Sequence, residues 1–233
     1  MLEGAMLKLF TRGAQVLGIE DIGGAFRLVT LEGEALRNVA WTPGDKIQIQ
    51  LGGWTQRTYT PMGWDADNGR TRILVHLHGD APGTRWARAL RVGDQCIVFG
   101  PRKSVRLSGP PSTVIVFGDE TSLGLAAALS HQLSAPTVIG LFEVSSPADA
   151  ARAAERLDLN GVALCARLED DRHFAELEQR MTALLREHPA AELVLTGRAG
   201  AIQHISRLLR QHGVASERRT SKAYWAPGKS GMD

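Results

Sequence analysis

The sequence contains few cysteines and no long hydrophobic run. Cys96 and Cys165 are the only two cysteines among 233 residues, and neither belongs to a CxxC pair or to a His/Cys cluster with metal-ligand spacing. We therefore expect reduced thiols, no metal site and a cytoplasmic location. No apolar stretch reaches the length of a transmembrane helix, and the N-terminal residues lack the apolar region of a signal peptide. The sequence thus predicts neither membrane attachment nor export.

An excess of charge of one sign is also absent. The 27 Lys and Arg residues nearly balance the 25 Asp and Glu residues, which leaves a formal net charge of +2. Trp41, Trp54 and Trp64 could stack on bases, but no basic stripe accompanies them, so we expect no nucleic-acid partner. The hydrophobic fraction of 43% is ordinary for a globular protein, and the length allows two modest domains.

The first half of the sequence has the alternation of antiparallel β-strands. Short segments with period two are separated by turn signals such as Pro43-Gly44-Asp45 and Asp67-Asn68-Gly69. The alternating positions are Phe26, Leu28 and Thr30, then Ile47, Ile49 and Leu51, then Ile73, Val75 and Leu77, and residues 95–100 form one more apolar segment. This pattern predicts an antiparallel β-barrel over residues 1–110, with residues 62–69 in a loop.

After Pro110-Pro111, continuous apolar segments alternate with helical ones. The apolar segments cover residues 113–118, 137–144, 161–168 and 191–197, and an amphipathic or alanine-rich segment follows each of them. Ser146 and Pro147 have the residue types of an N-cap and a first helical position. Repeated βα units with fully apolar strands predict a parallel α/β domain of the nucleotide-binding type over residues 111–233, with a C-terminal tail.

One predicted strand end carries a cation, an aromatic ring and a hydroxyl at fixed spacing. Arg57, Tyr59 and Thr60 follow an alternating strand within the segment GGWTQRTYTP. This set suits a ligand that is planar at one end and phosphorylated at the other. An edge strand made of ordinary β-formers would give the same pattern, so the motif alone leaves both interpretations open.

A second candidate site follows the strand that contains His76. Gly79, Pro82 and Gly83 form a tight turn, and we expect Thr84 to cap a short helix whose amide groups face outward as a phosphate site. A plain strand-to-helix turn is the alternative. His76 and His78 share one strand face, and without a third ligand nearby we expect them to line a ligand or to form hydrogen bonds.

The order of several segments resembles the siderophore-interacting, FAD-binding proteins of the ferredoxin–NADP reductase-like superfamily. The segments that carry the resemblance are RTYTP, VHLHGDAPGTRWARALRVGD, FGPRKS, VIVFGDETSLG and KAYWAPGK. The most specific of them is GDET at the end of the first α/β strand, where other reductases of the superfamily carry a glycine-rich turn. The resemblance extends over nearly the whole chain.

The resemblance implies an FAD site and assigns residues to it. Arg57 would contact the FAD phosphates and Tyr59 would lie against the isoalloxazine. The implied catalytic positions are Thr60, at the ring edge, and Thr121. The remaining implied cofactor contacts are His76, His78, Gly83, Thr84, Trp86, Asp119, Glu120 and Trp225.

The activity implied is FAD-dependent reduction of a ferric siderophore or ferric chelate, with release of Fe(II). NADPH is the preferred electron donor, with NADH or ferredoxin as alternatives. Cations that could bind an anionic substrate or the NADPH phosphate are Arg102, Lys103, Arg198, Lys222 and Lys229. A general NAD(P)H flavin or ferredoxin reductase and a non-catalytic flavin or siderophore carrier remain alternatives.

Overall fold

The computed structural model describes residues 11–53, 55–109, 112–132 and 137–229. The chain forms two compact units, and the division between them lies between Ser104 and Val105. The N-terminal unit is built on an antiparallel sheet and the C-terminal unit on a parallel one, so the predicted fold class is confirmed.

Seven strands form the sheet of the N-terminal unit. They are β1 (Thr11–Ile22), β2 (Phe26–Glu32), β3 (Lys46–Gly52), β4 (Thr55–Tyr59), β5 (Pro61–Asp65), β6 (Arg70–His76) and β7 (Gln95–Arg102). Their order in the sheet is β4-β3-β7-β1-β2-β6-β5, and every pair is antiparallel. The two outermost strands, β4 and β5, are consecutive in sequence and are joined by Thr60 alone. This single-residue connection brings both edges of the sheet together and curves it into a barrel.

Two features of the barrel differ from the sequence prediction. The prediction of a loop over residues 62–69 is wrong at its start, because β5 contains Met62, Gly63 and Trp64. Proline and glycine in this segment are loop signals, but an edge strand tolerates both, and Met62 is almost fully buried. The sequence pattern also gave no indication of β1.

Branched and aliphatic side chains fill the barrel. Ile47 and Ile49 of β3 pack with Val98 of β7 and Ile73 of β6, and all four are fully buried. Helix α1 (Pro82–Ala89) lies against this core through Ala87, and Trp86 packs beside it. The apolar face of α1 therefore fixes the position of its N-terminus relative to β4.

The C-terminal unit has five parallel strands with helices between them. The strands are β8 (Thr113–Gly118), β9 (Thr137–Val144), β10 (Val162–Ala166), β11 (Glu192–Arg198) and β12 (Arg219–Trp225). The helices are α2 (Leu123–Gln132), α3 (Pro147–Arg156), α4 (Phe174–Glu187) and α5 (Ala199–Gln211). The Ser146 side chain accepts a hydrogen bond from the Asp149 amide at the start of α3, and Pro147 is the first helical residue, as the sequence predicts.

The strand order β10-β9-β8-β11-β12 places β8 at the centre of the parallel sheet. The chain proceeds from β8 to β9 on one side and later to β11 on the other, so the strand order reverses at β8. In open α/β sheets, ligands bind beyond the carboxyl ends of the strands at such a point. Strand β12, which the sequence analysis treats as a tail, pairs in parallel with β11 at the edge of the sheet.

Candidate functional site

The end of β4 brings Arg57 and Tyr59 to one face of the barrel sheet. Strand β4 pairs with β3 so that Arg57 lies opposite Ile49 and Tyr59 opposite Ile47. Because side chains alternate along a strand, Arg57 and Tyr59 point the same way. Thr60 follows at the junction of β4 and β5 and is partly exposed. The strand end thus presents the cation and the aromatic ring together, with the hydroxyl at the next position.

The N-terminus of α1 lies next to these two side chains. A Cβ atom on Gly83 would lie 3.3 Å from the Tyr59 hydroxyl oxygen and 3.5 Å from Arg57 Cγ. The glycine therefore keeps open a small space that any larger residue would partly fill. The structure thus brings together two candidate sites that lie in separate segments of the sequence.

Thr84 does not cap this helix, and that prediction is wrong. The N-cap is Ala81, which offers no side-chain acceptor, and Pro82 is the first helical residue. The Thr84 hydroxyl instead accepts from the His78 amide at 3.2 Å and donates to the His78 carbonyl at 2.9 Å. These two bonds close the turn between β6 and α1. With no side chain as a cap, the first amides of α1 keep their capacity to bind an anion.

Arg57 has no carboxylate partner among the described residues, and Tyr59 is held in its neutral form. The Arg57 guanidinium donates to the Gln56 carbonyl at 2.8 Å, and no described residue provides a carboxylate partner for it. Burial raises the pKa of the Tyr59 hydroxyl above its usual value, although the positive charge of Arg57 opposes this shift. Tyr59 therefore remains a neutral hydrogen-bond donor, and its ring centroid lies 6.0 Å from that of Trp86.

The two histidines stack on each other beside this turn. The ring centroids of His76 and His78 are 5.2 Å apart with an interplanar angle of 30°, and His76 also approaches the Phe26 ring at 5.1 Å. Over the described residues, no group of three or more His, Cys, Asp or Glu side chains could hold a metal ion. In the same part of the chain, no helix is long and apolar enough to cross a membrane.

In the C-terminal unit, Asp119 lies directly after β8, at the centre of the sheet. Its side chain is fully buried and accepts hydrogen bonds from the Thr121 amide at 2.9 Å and from the Trp225 indole N–H at 2.6 Å. Gly197 lies against the carboxylate, with φ at +93°, and a Cβ atom there would meet Asp119 Cγ at 2.6 Å. The structure therefore brings Asp119, Thr121 and Trp225 together through hydrogen bonds to one carboxylate.

Burial raises the pKa of the Asp119 carboxyl to about 6 from the usual 3.8, although its hydrogen bonds with Thr121 and Trp225 oppose the shift. Between about pH 4 and pH 6 the folded state then binds more protons than the unfolded state, so this group makes stability fall as pH rises through that window. We expect the unfolding free energy of the parent protein, compared with Asp119→Asn, to show this extra slope. Carbon NMR should find the Asp119 carboxyl titrating near pH 6, and titration at or below the usual value would contradict the prediction.

Glu120 is also buried and is paired within the same unit. It accepts hydrogen bonds from Arg167 at 2.9 and 3.0 Å and from the Ser145 amide at 2.6 Å. The Arg167 guanidinium carbon lies 5.6 Å from the centre of the Trp225 ring. Glu120 therefore orients Arg167 over the indole that binds Asp119.

A third buried carboxylate, Glu143 of β9, interacts with Arg198 of β11 and with His173. Arg198 donates to Glu143 at 2.6 and 2.8 Å and to Asp171 at 2.7 Å, and His173 Nε2 lies 2.7 Å from Glu143. These bonds raise the pKa of Arg198, chiefly through Glu143, so the guanidinium stays charged. Arg198 is thus engaged within the C-terminal unit and is only 10% exposed.

Sequence reasoning did not identify Glu143, Arg167, Asp171 or His173. A signal existed for Glu143, because it is a charged residue inside the apolar segment TVIGLFEV. Buried charges need partners, and such a residue predicts an internal ion pair. No comparable signal marked Arg167 or His173, whose roles depend on loops that meet at the sheet edge only in the folded chain.

The cations proposed for substrate binding are spread over both units. The Arg102 side chain donates to the Gln48 side chain, whereas Lys103 and Lys229 are exposed and Lys222 of β12 is partly buried. Within the described ranges, none of these three lysines forms an ion pair with a carboxylate. The three lysines therefore retain uncompensated positive charge, whereas the charge of Arg198 is balanced by Glu143 and Asp171.

Both halves of the chain match models of one protein family. Residues 52–105 match the siderophore-interacting FAD-binding domain, and residues 111–228 match the siderophore-interacting protein model. No curated protein matches the chain.

Solved structures of several proteins share the fold. A siderophore utilization protein from T. fusca is 22% identical with a TM-score of 0.76, over 96% of this chain and 95% of that one. The siderophore-interacting protein SipS from Aeromonas hydrophila is 23% identical with a TM-score of 0.76, over 95% of this chain and 93% of that one. Phthalate dioxygenase reductase is 12% identical with a TM-score of 0.74, over 94% of this chain and 70% of that one. From the two family matches, this chain belongs to the siderophore-interacting protein family.

Proposed function

We propose that this protein is an FAD-dependent reductase of ferric siderophores or other ferric chelates, and that it releases Fe(II). The observation that supports this most is the meeting of Arg57, Tyr59 and the uncapped N-terminus of α1 around Gly83. In this proposal the barrel unit binds FAD, and the α/β unit, over about residues 111–233, binds the electron donor. Family membership is consistent with both roles.

The residues present fit FAD. The space beside Gly83 is bounded by a guanidinium without a carboxylate partner and by helix amides without a side-chain cap, which together suit a diphosphate. Tyr59 adds an aromatic face and a neutral hydroxyl, which suit the edge and plane of a flavin ring. Thr60 follows at the strand junction, where its hydroxyl would bind the ring edge.

When bound, the flavin would supply acceptance of a hydride and transfer of single electrons to Fe(III). The chain's own residues would bind and orient it: Arg57 and the α1 amides would hold the phosphates, and His78 and Thr84 would keep their turn closed. Within the α/β unit, the Asp119 side chain holds Thr121 and Trp225 in one fixed group. Hard oxygen donors hold Fe(III) better than the softer Fe(II), so reduction would release the metal.

The electron donor is proposed to be a pyridine nucleotide or ferredoxin. The preference for NADPH drew on Arg198 and on cations near the C-terminus. Because Arg198 is held by Glu143 and Asp171, it gives that preference little support, and Lys222 and Lys229 remain the candidates for a phosphate contact. Reduction rates with NADPH, NADH and reduced ferredoxin at low concentration would separate the donors.

Lys222 is proposed to attract an anionic ferric siderophore. Lys222→Glu should raise KM for an anionic ferric chelate severalfold, leave bound FAD unchanged and weaken the fall of turnover with rising salt. Arg186→Glu, which makes the same charge change on the exposed end of α4, is the matched control and should alter none of these. Equal effects of both variants, or equal KM changes for anionic and cationic chelates, would contradict this role.

A further inference from the structure

The turn after β8 lies where a nucleotide-binding sheet usually holds a diphosphate. Strand β8 is central, and the strand order reverses there. Residues Glu120–Ser122 form a 3₁₀ turn that leads directly into α2. A helix that begins at such a point normally leaves its first amides free to bind phosphate. A pyridine nucleotide held in the usual way would therefore have to reach these amides.

The Asp119 carboxylate already occupies the donors of this turn. It accepts from the Thr121 amide at 2.9 Å and from the Trp225 indole N–H at 2.6 Å. The Ser122 amide donates to the Asp119 carbonyl at 2.9 Å. These are donors that a bound anion would need, and each of them is paired within the chain. Asp119 thus stands in for a phosphate at the start of the helix.

The same turn is packed too closely to admit a ligand beside the carboxylate. The side chains of Asp119, Ser122 and Thr196 are fully buried. A Cβ atom on Gly118 would overlap the Ser122 side chain, and one on Gly197 would lie 2.6 Å from Asp119 Cγ. Both glycines therefore make room for side chains of the protein itself. A diphosphate could enter only if Asp119 moved out.

The charges at the ends of the neighbouring strands also disfavour a diphosphate. Glu120 is buried and accepts from Arg167 at 2.9 and 3.0 Å. Arg198 donates to Glu143 at 2.6 and 2.8 Å and to Asp171 at 2.7 Å. Each of these two arginines is therefore balanced by carboxylates of the same unit. An incoming anion would meet buried negative charge without a free guanidinium from either of them.

Resting on the reductase function proposed above, we propose that Asp119 is a specificity-determining residue that keeps the diphosphate of a pyridine nucleotide out of this turn. It does so by supplying from the chain itself the anion that the turn would otherwise take from a ligand. NADPH and NADH then lose the contact that such sheets usually offer them. The α/β unit would discriminate against both nucleotides and favour a protein donor, which places no phosphate on the sheet.

The test measures binding of NADP⁺ to the FAD-loaded protein by titration calorimetry, without turnover. Asp119→Gly removes the carboxylate and frees the Thr121 amide, so its affinity for NADP⁺ should rise about tenfold, as expected for one hydrogen bond to a phosphate. Asp119→Asn is the matched control. Its side chain has the same size and an oxygen that still caps the turn, so it should gain much less.

A measurement on the unaltered protein remains decisive if Asp119→Gly does not fold. The amide signals of Thr121 and Ser122, followed by nitrogen NMR, should not shift when NADP⁺ is added. A shift of either amide on NADP⁺ binding would overturn the proposal, and so would a folded Asp119→Gly that binds NADP⁺ no better than the parent or than Asp119→Asn. Protein that binds no FAD would instead refute the proposed function, which these NADP⁺ measurements do not decide.

Discussion

Replacing Arg57 by alanine should weaken FAD binding about ten- to a hundredfold, because a charge-assisted contact to a phosphate contributes roughly 1.5–3 kcal/mol. Folding should be little affected. Arg57 is partly exposed, and its guanidinium is bound to the neighbouring Gln56 carbonyl rather than to a carboxylate. Titration of the apoprotein with FAD, together with urea unfolding, would measure both quantities.

Two further variants make the Arg57 test specific. Arg57→Lys keeps the charge but loses the planar fork of donors, so its FAD affinity should lie between those of the parent and the alanine variant. Arg72→Ala removes an exposed arginine from β6 and should leave FAD binding unchanged. If Arg57→Ala held FAD as tightly as the parent protein, Arg57 would not be a phosphate ligand.

Replacing Arg198 by glutamine should destabilise the protein by about 3–5 kcal/mol, because it would leave a buried carboxylate without its main partner. Glu143 is fully buried and receives its two shortest arginine bonds from Arg198, at 2.6 and 2.8 Å. His173 would remain at 2.7 Å, whereas Arg167 is 3.9 Å away. The unfolding free energy from urea titration is the quantity to measure.

The matched control for this loss is Arg172→Gln. Arg172 pairs with Asp170 on the surface, and its side chain is 78% exposed, so its removal should cost at most about 1 kcal/mol. Changing Glu143 and Arg198 together to methionine should recover part of the lost stability, because the fully buried carboxylate is removed with its main partner, while Asp171 and His173 each lose one contact. If Arg198→Gln raised KM for NADPH and left stability unchanged, Arg198 would be a nucleotide ligand instead of an internal partner.

The sequence predicted the architecture well, and the reason is the contrast between its two patterns. Alternation such as Ile47, Ile49 and Leu51 requires a sheet with one buried face, whereas the fully apolar run 113–118 requires a strand covered on both sides. Both patterns arise from burial alone, so each can be recognised without knowing what the strand pairs with. The sequence did not predict strand β5, because edge strands tolerate residues that also mark loops.

The charged groups were harder to predict from the sequence. Arg57 and Gly83 belong to separate segments, which the family resemblance but not the residue pattern assigned to one site, and the packing of α1 against the barrel core brings them together. Arg198 looked like a free cation at a strand end, since neither Glu143 nor Asp171 is near it in sequence. Long-range pairing decides whether a charge is available, and one sequence does not contain that information.

The most direct test of the central claim is anaerobic release of Fe(II) from a ferric siderophore, captured by ferrozine, with a reduced donor and the FAD-loaded protein. We predict a rate well above that of the same concentration of free FAD with the same donor. Arg57→Ala should lose this rate at limiting FAD and regain it when FAD is in excess. A rate no greater than that of free reduced flavin, from protein that has bound FAD, would contradict ferric-siderophore reduction.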